Sequence, residues 1–223
     1  SLRLKLGNWR WPGAWVITMV LLSRLSIFAA DSVWLEGESP SSANCKLEVS
    51  AWGHVEFFSG GKWGQISCEA EKIEKEFPEE GALLGYDFKI GNAGRYEIWN
   101  RLGYEFVRSP FEWRVDGGEF KRVNPDELTT DLMEFNPWNE LAWLRLGEQE
   151  FRAGDHKLEI RVPKTKNDKG QYNRVLYASD ALSLYQGQFH PNGRFRPDEN
   201  YREARDEQAA KNVFQLPDPP APG

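Results

Sequence analysis

The chain has 223 residues, 40% hydrophobic and 28% charged, a balance that supports one globular domain with tails. Its formal net charge is −6, but residues 1–30 hold four bases (Arg3, Lys5, Arg10, Arg24) and no acid, so the rest carries 24 bases against 34 acids. An acidic body with no basic block repels phosphate backbones, which argues against nucleic acid as a partner.

In chain order, a basic opening (Ser1–Arg10) is followed by an apolar run (Ala14–Leu22) and then by small residues up to Ala30. That is the order of a secretory signal. The run is shorter than the roughly 20 residues a spanning helix needs. We therefore expect residues 1–30 to be a signal peptide cut near Ala29 or Ala30, and a secreted or periplasmic protein with no membrane segment after signal removal.

The body opens on a strand, Val33–Glu38. Cys45 and Cys68 follow, spaced so that in an exported protein they can close a disulfide worth about 2–4 kcal/mol; two separate buried thiols is the other reading. His54–Phe58 runs strand-like into a turn at Ser59, Gly60 and Gly61. Cys68–Phe77 is charged, with Ile73 and Phe77 at i, i+4, which suits one or two helical turns. Gly85–Ile90 alternates, and Arg95–Leu102 does so strongly, with Tyr96, Ile98 and Asn100 on one face and Arg95, Glu97, Trp99 and Arg101 on the other. Phe111–Val115 enters a hairpin turn at Asp116, Gly117 and Gly118, residues that tolerate positive φ. A short helical turn is expected within Asn124–Leu132. Strands at Trp143–Leu146, Lys157–Val162 and Ala181–Tyr185 complete the set. Seven or more short strands with period-2 patterning predict an all-β sandwich over residues 31–187. Residues 188–223, with a helix at 200–212 and a proline-rich end (Leu216–Gly223), read as a linker towards a further domain.

Nucleophile, zincin, P-loop and dinucleotide motifs are absent. With 34 acids, a small glycoside hydrolase using an Asp/Glu pair is the enzyme alternative, although most of these acids alternate with apolar residues, as on a solvated sheet face. Two constellations stand out. Glu36 and Glu38 lie two residues apart, so their side chains share a face; if the first and last strands meet, Asp180 joins them. Three converging carboxylates suit Ca²⁺, which takes 6–8 oxygen ligands, while acids on an edge strand otherwise serve solubility. The second constellation is aromatic. Trp138 sits in a loop beside Pro137, Trp143 follows five residues later, and Tyr172 and Asn173 occupy the polar loop Lys164–Asn173. A sugar site needs an aromatic face for the ring's C–H side and amides or acids for its hydroxyls. For Trp143 a place in the core is the competing reading, as it is for Trp99 and Trp113.

Six segments taken together resemble the galactose-binding-like β-sandwiches of carbohydrate-binding module families six and thirty-five. They are Leu35–Glu38 (an "E-A-E"-like opening), Ser59–Gly61, Asn92–Arg101, Phe111–Gly118, Ala153–Leu158 and Asp180–Leu184, in the family's order across Val33–Tyr185. The resemblance implies a jelly-roll sandwich without catalysis of its own. It also implies a structural calcium held at positions matching Glu36, Glu38 and Asp180, and a glycan site drawing on Trp138, Trp143 and Asn173. It further suggests that the chain is a module at the N-terminus of a secreted bacterial glycoside hydrolase, with a catalytic domain downstream. A structural or protein-interaction sandwich with no glycan site is the reading from a different class.

Overall fold

The computed structural model describes residues 30–104, 109–124, 127–197 and 199. Residues 1–29 of the expected signal, the helix expected at 200–212 and the proline-rich end lie outside the described residues. Among these, twelve strands form: β1 (Ser32–Glu36), β2 (Ser42–Ala43), β3 (Glu48–Ser50), β4 (Trp63–Cys68), β5 (Ala82–Ile90), β6 (Gly94–Gly103), β7 (Phe111–Val115), β8 (Lys121–Val123), β9 (Thr130–Asn136), β10 (Asn139–Phe151), β11 (Gly154–Val162) and β12 (Val175–Gln186). No helix among the described residues is long and apolar enough to cross a membrane.

The strands make two antiparallel sheets, of seven and five strands. The larger runs β3-β4-β12-β6-β10-β9, and the smaller β2-β5-β11-β7-β8. β12 is the spine of the larger sheet. Its first half pairs with β4 (Val175 opposite Cys68) and its second half with β1 (Tyr185 opposite Ser32), while its other edge meets β6. The first and last strands therefore lie side by side, as the position of the acids in the sequence anticipates.

The period-2 pattern sets which side chains are enclosed. Tyr96, Ile98 and Leu102 of β6, Leu84, Tyr86 and Phe88 of β5, and Leu158 and Ile160 of β11 meet between the sheets, each contributing about 1.5–3 kcal/mol on burial. Trp113 is packed there too, and it needs the glycine opposite: a Cβ on Gly147, where β10 shifts register against β6, would lie 2.9 Å from the Trp113 ring. The outer face of the larger sheet is covered as well, by two aromatic clusters. Phe58, Trp63 and Phe135 form one. Trp143 and Phe189, with half-buried Trp34, Trp99 and Tyr185, form the other.

Several expectations are corrected. Residues 54–58 are not a strand: Val55–Phe57 make a 3-10 turn that drops Phe58 onto the sheet. Of the short helical turn expected within Asn124–Leu132, residues 125 and 126 lie outside the described residues, the Glu127 N–H donates to the Asn124 carbonyl at 3.2 Å, and β9 takes over from Thr130. Packing does not stop at residue 187, because Phe189 is 5% exposed and lies against the sheet. The Cys45–Cys68 disulfide is not formed. Both are free thiols lining one cleft with Ile66 and Phe77, since the ladder between β3 and β4 begins only at Glu48, short of Cys45. Burial pushes both thiols above their ordinary range, with Glu76 adding to the effect at Cys68.

Candidate functional site

The corner where β1 leaves the sheet gathers the acids singled out in the sequence. Gly37 sits between the two glutamates because β12 lies directly beneath: its N–H donates to the Asp180 carbonyl at 2.8 Å, and a Cβ there would fall 2.2 Å from the Ser179 carbonyl oxygen. Any larger residue would lift both glutamates off the sheet. Above them the Ser59–Gly61 turn closes over the carboxylates. Gly60 has φ 60°, a left-handed conformation that favours glycine, and a Cβ on it would be 3.9 Å from Glu38 Oε1 and 4.0 Å from Glu36 Oε2. Trp34 Nε1 holds the turn by donating to Ser59 Oγ at 3.1 Å.

Glu38 is only 8% exposed, and Lys62 Nζ stands 3.6 Å from its Oε1. Burial pushes its carboxyl above the usual carboxylate range, and Glu36 pushes the same way while Lys62 opposes. Glu36 Oε1 accepts a hydrogen bond from Arg196 at 2.8 Å. The Oε2 atoms of both glutamates are buried with no hydrogen-bond partner. One of these orphaned oxygens, Glu36 Oε2, lies under the Gly60 turn beside Glu38 Oε1, so the corner keeps a buried acceptor without a donor.

Asp180 is adjacent but turned away. Its Oδ2 accepts from Arg101 Nη1 at 2.7 Å and its Oδ1 from the Ser59 N–H at 2.9 Å. Arg101 Nη1 also donates to the Phe57 carbonyl at 2.7 Å, and neither side chain of the pair is exposed. Burial raises the Asp180 pKa to about 7, with Arg101 and the Ser59 N–H pulling the other way. The expectation of three converging ligands is therefore corrected: Asp180 is spent on an ion pair that holds the 57–59 backbone. Among the described residues, no group of three His, Cys, Asp or Glu side chains stands together to hold a metal.

The aromatic residues separate into two environments. Trp138 occupies the tip of the β9–β10 hairpin with φ 67°, and 83% of it is exposed. Asn139 Nδ2 ties the tip to the Pro137 carbonyl at 3.0 Å. Beside it Tyr104, 46% exposed, donates its backbone N–H to the Glu140 carbonyl at 2.8 Å. The loop 163–174 emerges at the same end of the sandwich, because β6 finishes where β10 and β12 begin. There Tyr172 is half-buried with Lys166 Nζ 4.5 Å from its ring centroid, and Asn173 Nδ2 donates to Thr165 Oγ1 at 2.9 Å.

Trp143 is elsewhere, and its assignment to a sugar site is corrected. It is fully buried, with its ring 5.5 Å from Trp34 and 5.2 Å from Phe189, and its Nε1 donates to the Gly193 carbonyl at 2.9 Å. A strand position facing the outer side of a sheet is normally wet; here the returning tail covers it. Sequence reasoning missed this cover, and it missed Arg101 as the partner of Asp180. The only signal at Arg101 was its place on the same face as Trp99, which a solvated arginine also satisfies.

No family model matches the chain, and no curated protein matches it. Among solved structures it is similar to a β-(1,4)-mannanase of Podospora anserina, described as GH26-CBM35, at 12% identity and a TM-score of 0.43. That match covers 82% of this chain and 35% of that one. It is also similar to the C-terminal CBM6 of a marine laminarinase from Zobellia galactanivorans, at 11% identity and TM-score 0.41, covering 70% and 100%. An insecticidal crystal protein, Cry2Aa, matches at 12% identity and TM-score 0.48, covering 70% and 21%. This chain thus spans about a third or less of the mannanase and the insecticidal protein. Likenesses at this level assign no function.

Proposed function

We propose that the chain is a non-catalytic carbohydrate-binding module, in which Trp138 at the sandwich rim stacks on the apolar face of a sugar ring. The observation that carries this reading is Trp138 itself. A tryptophan in a left-handed conformation is unfavourable for the backbone, and at 83% exposure its ring gains little from folding. Such a residue is better accounted for by a partner than by stability. Tyr104 and the polar side chains of the 163–174 loop at the same end supply a second ring and hydroxyl partners. Several acids that a hydrolytic pair would draw on are instead engaged by arginines: Glu97 with Arg145, Glu112 with Arg161 and Glu159 with Arg114. In this reading the protein is secreted, and weak binding serves a downstream catalytic domain through effective concentration.

Titrating the protein with oligosaccharides by calorimetry, after a glycan array chooses them, tests this. Trp138→Ala should weaken binding about 10- to 30-fold with an unchanged melting temperature, because the ring packs against little. Equal affinity in the variant overturns the Trp138 assignment, and no binding to any glycan leaves the protein-interaction sandwich.

The reading includes calcium. Its support is the pair of buried, unpartnered oxygens on Glu36 and Glu38, the donor type a hard cation takes. The two glutamates would hold it, and its contribution would be structural, tying β1 to the Ser59–Gly61 turn. At a hundredfold excess over Kd, a cation binding only the native state adds about 2.7 kcal/mol, so Ca²⁺ should raise the melting temperature of chelator-treated protein by about 5–10 °C. No rise in differential scanning fluorimetry removes the metal from the account.

A further inference from the structure

After β12 the chain folds back as a strap across the outer face of the larger sheet. Phe189 lies over the sheet with its ring 5.7 Å from Trp99 and 5.2 Å from Trp143, and its N–H donates to Glu97 Oε2 at 2.9 Å. Gly193 accepts from Trp143 Nε1 and donates its N–H to Asp131. The strap then ends at the acidic corner, where Arg196 reaches Glu36 Oε1 at 2.8 Å. Arg196 is itself half exposed and joins the strap to β1.

The corner this arginine reaches is the one left unsatisfied. Glu38, 8% exposed, has Oε1 facing Lys62 Nζ at 3.6 Å and Oε2 buried without a hydrogen-bond partner, and Glu36 Oε2 is likewise buried and unpartnered. Glu36 thus has one oxygen on a guanidinium and the other buried without a hydrogen-bond donor. A guanidinium and a divalent cation draw on the same carboxylate, and each repels the other at this range.

We propose that strap docking and cation binding compete for Glu36 through Arg196, so that filling the Glu36/Glu38 corner loosens residues 188–197. The inference rests on the cation reading above. Linkage makes the effect reciprocal: the factor by which the docked strap weakens the cation is the factor by which the cation weakens the strap. The strap's state is also legible in the spectrum, because its departure would bare Trp99 and Trp143 to water.

The test uses the full chain and CaCl2. Calorimetric titration should show Arg196→Ala binding Ca²⁺ about 10-fold more tightly than the parent, in the usual range of coupling factors. In the parent, saturating Ca²⁺ should shift tryptophan emission to longer wavelength and speed tryptic cleavage after Arg194. In Arg196→Ala both readouts should already be displaced without Ca²⁺ and respond less to it. Ca²⁺ binding that is equal or weaker in Arg196→Ala, or a parent strap that is protected further by Ca²⁺, overturns the competition while leaving the cation site standing. Absence of Ca²⁺ binding in both proteins overturns the site and the competition together.

Discussion

Arg101→Leu should destabilise the protein by about 3–5 kcal/mol, read as a lower denaturant midpoint. Removing one member of a buried pair strands the other, and that penalty exceeds the net value of the pair itself. Here the stranded group is Asp180, which has no exposed surface and would keep only the Ser59 N–H as a donor. The Phe57 carbonyl would lose its arginine at the same time. Asp180→Asn should also destabilise, since it leaves the Arg101 charge without its counter-ion and turns an amide NH2 towards one of the two donors that the Asp180 oxygens now satisfy. Replacing both members with apolar residues should recover much of the loss, as isosteric replacement of buried pairs does elsewhere. A single-variant loss below about 1 kcal/mol would show that the pair is wetter than its burial indicates.

The second large effect belongs to Trp143→Ala, expected to cost about 3–5 kcal/mol for a fully buried tryptophan. The cavity would open between Trp34 and Phe189, and the Gly193 carbonyl would lose its donor. Trp143→Phe should restore most of the packing and leave only that carbonyl unpaired, at about 1–3 kcal/mol. Loss of sugar binding in Trp143→Ala would follow from loss of fold, so Trp143→Phe makes the distinction: it should bind glycan as the parent does. If it folds normally and binds as poorly as Trp138→Ala, Trp143 has a role at the rim that its burial does not explain.

How far the sequence could be read depended on whether one residue's neighbours are local. The alternation of Arg95–Leu102 and Lys157–Val162 is a local property, and β6 and β11 follow it. The adjacency of Glu36 and Glu38, at the end of β1 and just beyond it, to Asp180 on β12 was also legible, because closing a sandwich from ordered strands brings its ends together. β9 was missed because Thr130–Asn136 mixes exposed and half-buried residues at a sheet edge, where the period-2 contrast fades. A core place for Trp143 was one of two readings the sequence offered, but what covers the ring was not legible. Its cover comes from Phe189 and Gly193, in a segment whose glycine and proline content reads as linker, and composition says nothing about where a loop lands. The orientation of Asp180 likewise depended on Arg101, a partner 79 positions away that no local pattern selects. Trp138 was legible because its proline neighbour and turn-rich surroundings place it outside any strand.

The shared strand β12 has a consequence for how the chain assembles. Three strands far apart in sequence, β1, β4 and β6, are joined to one another only through β12. Until β12 is in place the seven-stranded sheet is three separate pieces, β1, β3-β4 and β6-β10-β9, whose open edges are templates for misassociation. Such a topology has high contact order and folds slowly. Deletions that trim β12 would then abolish the native state outright, where trims of the same length at β2 would cost only an edge.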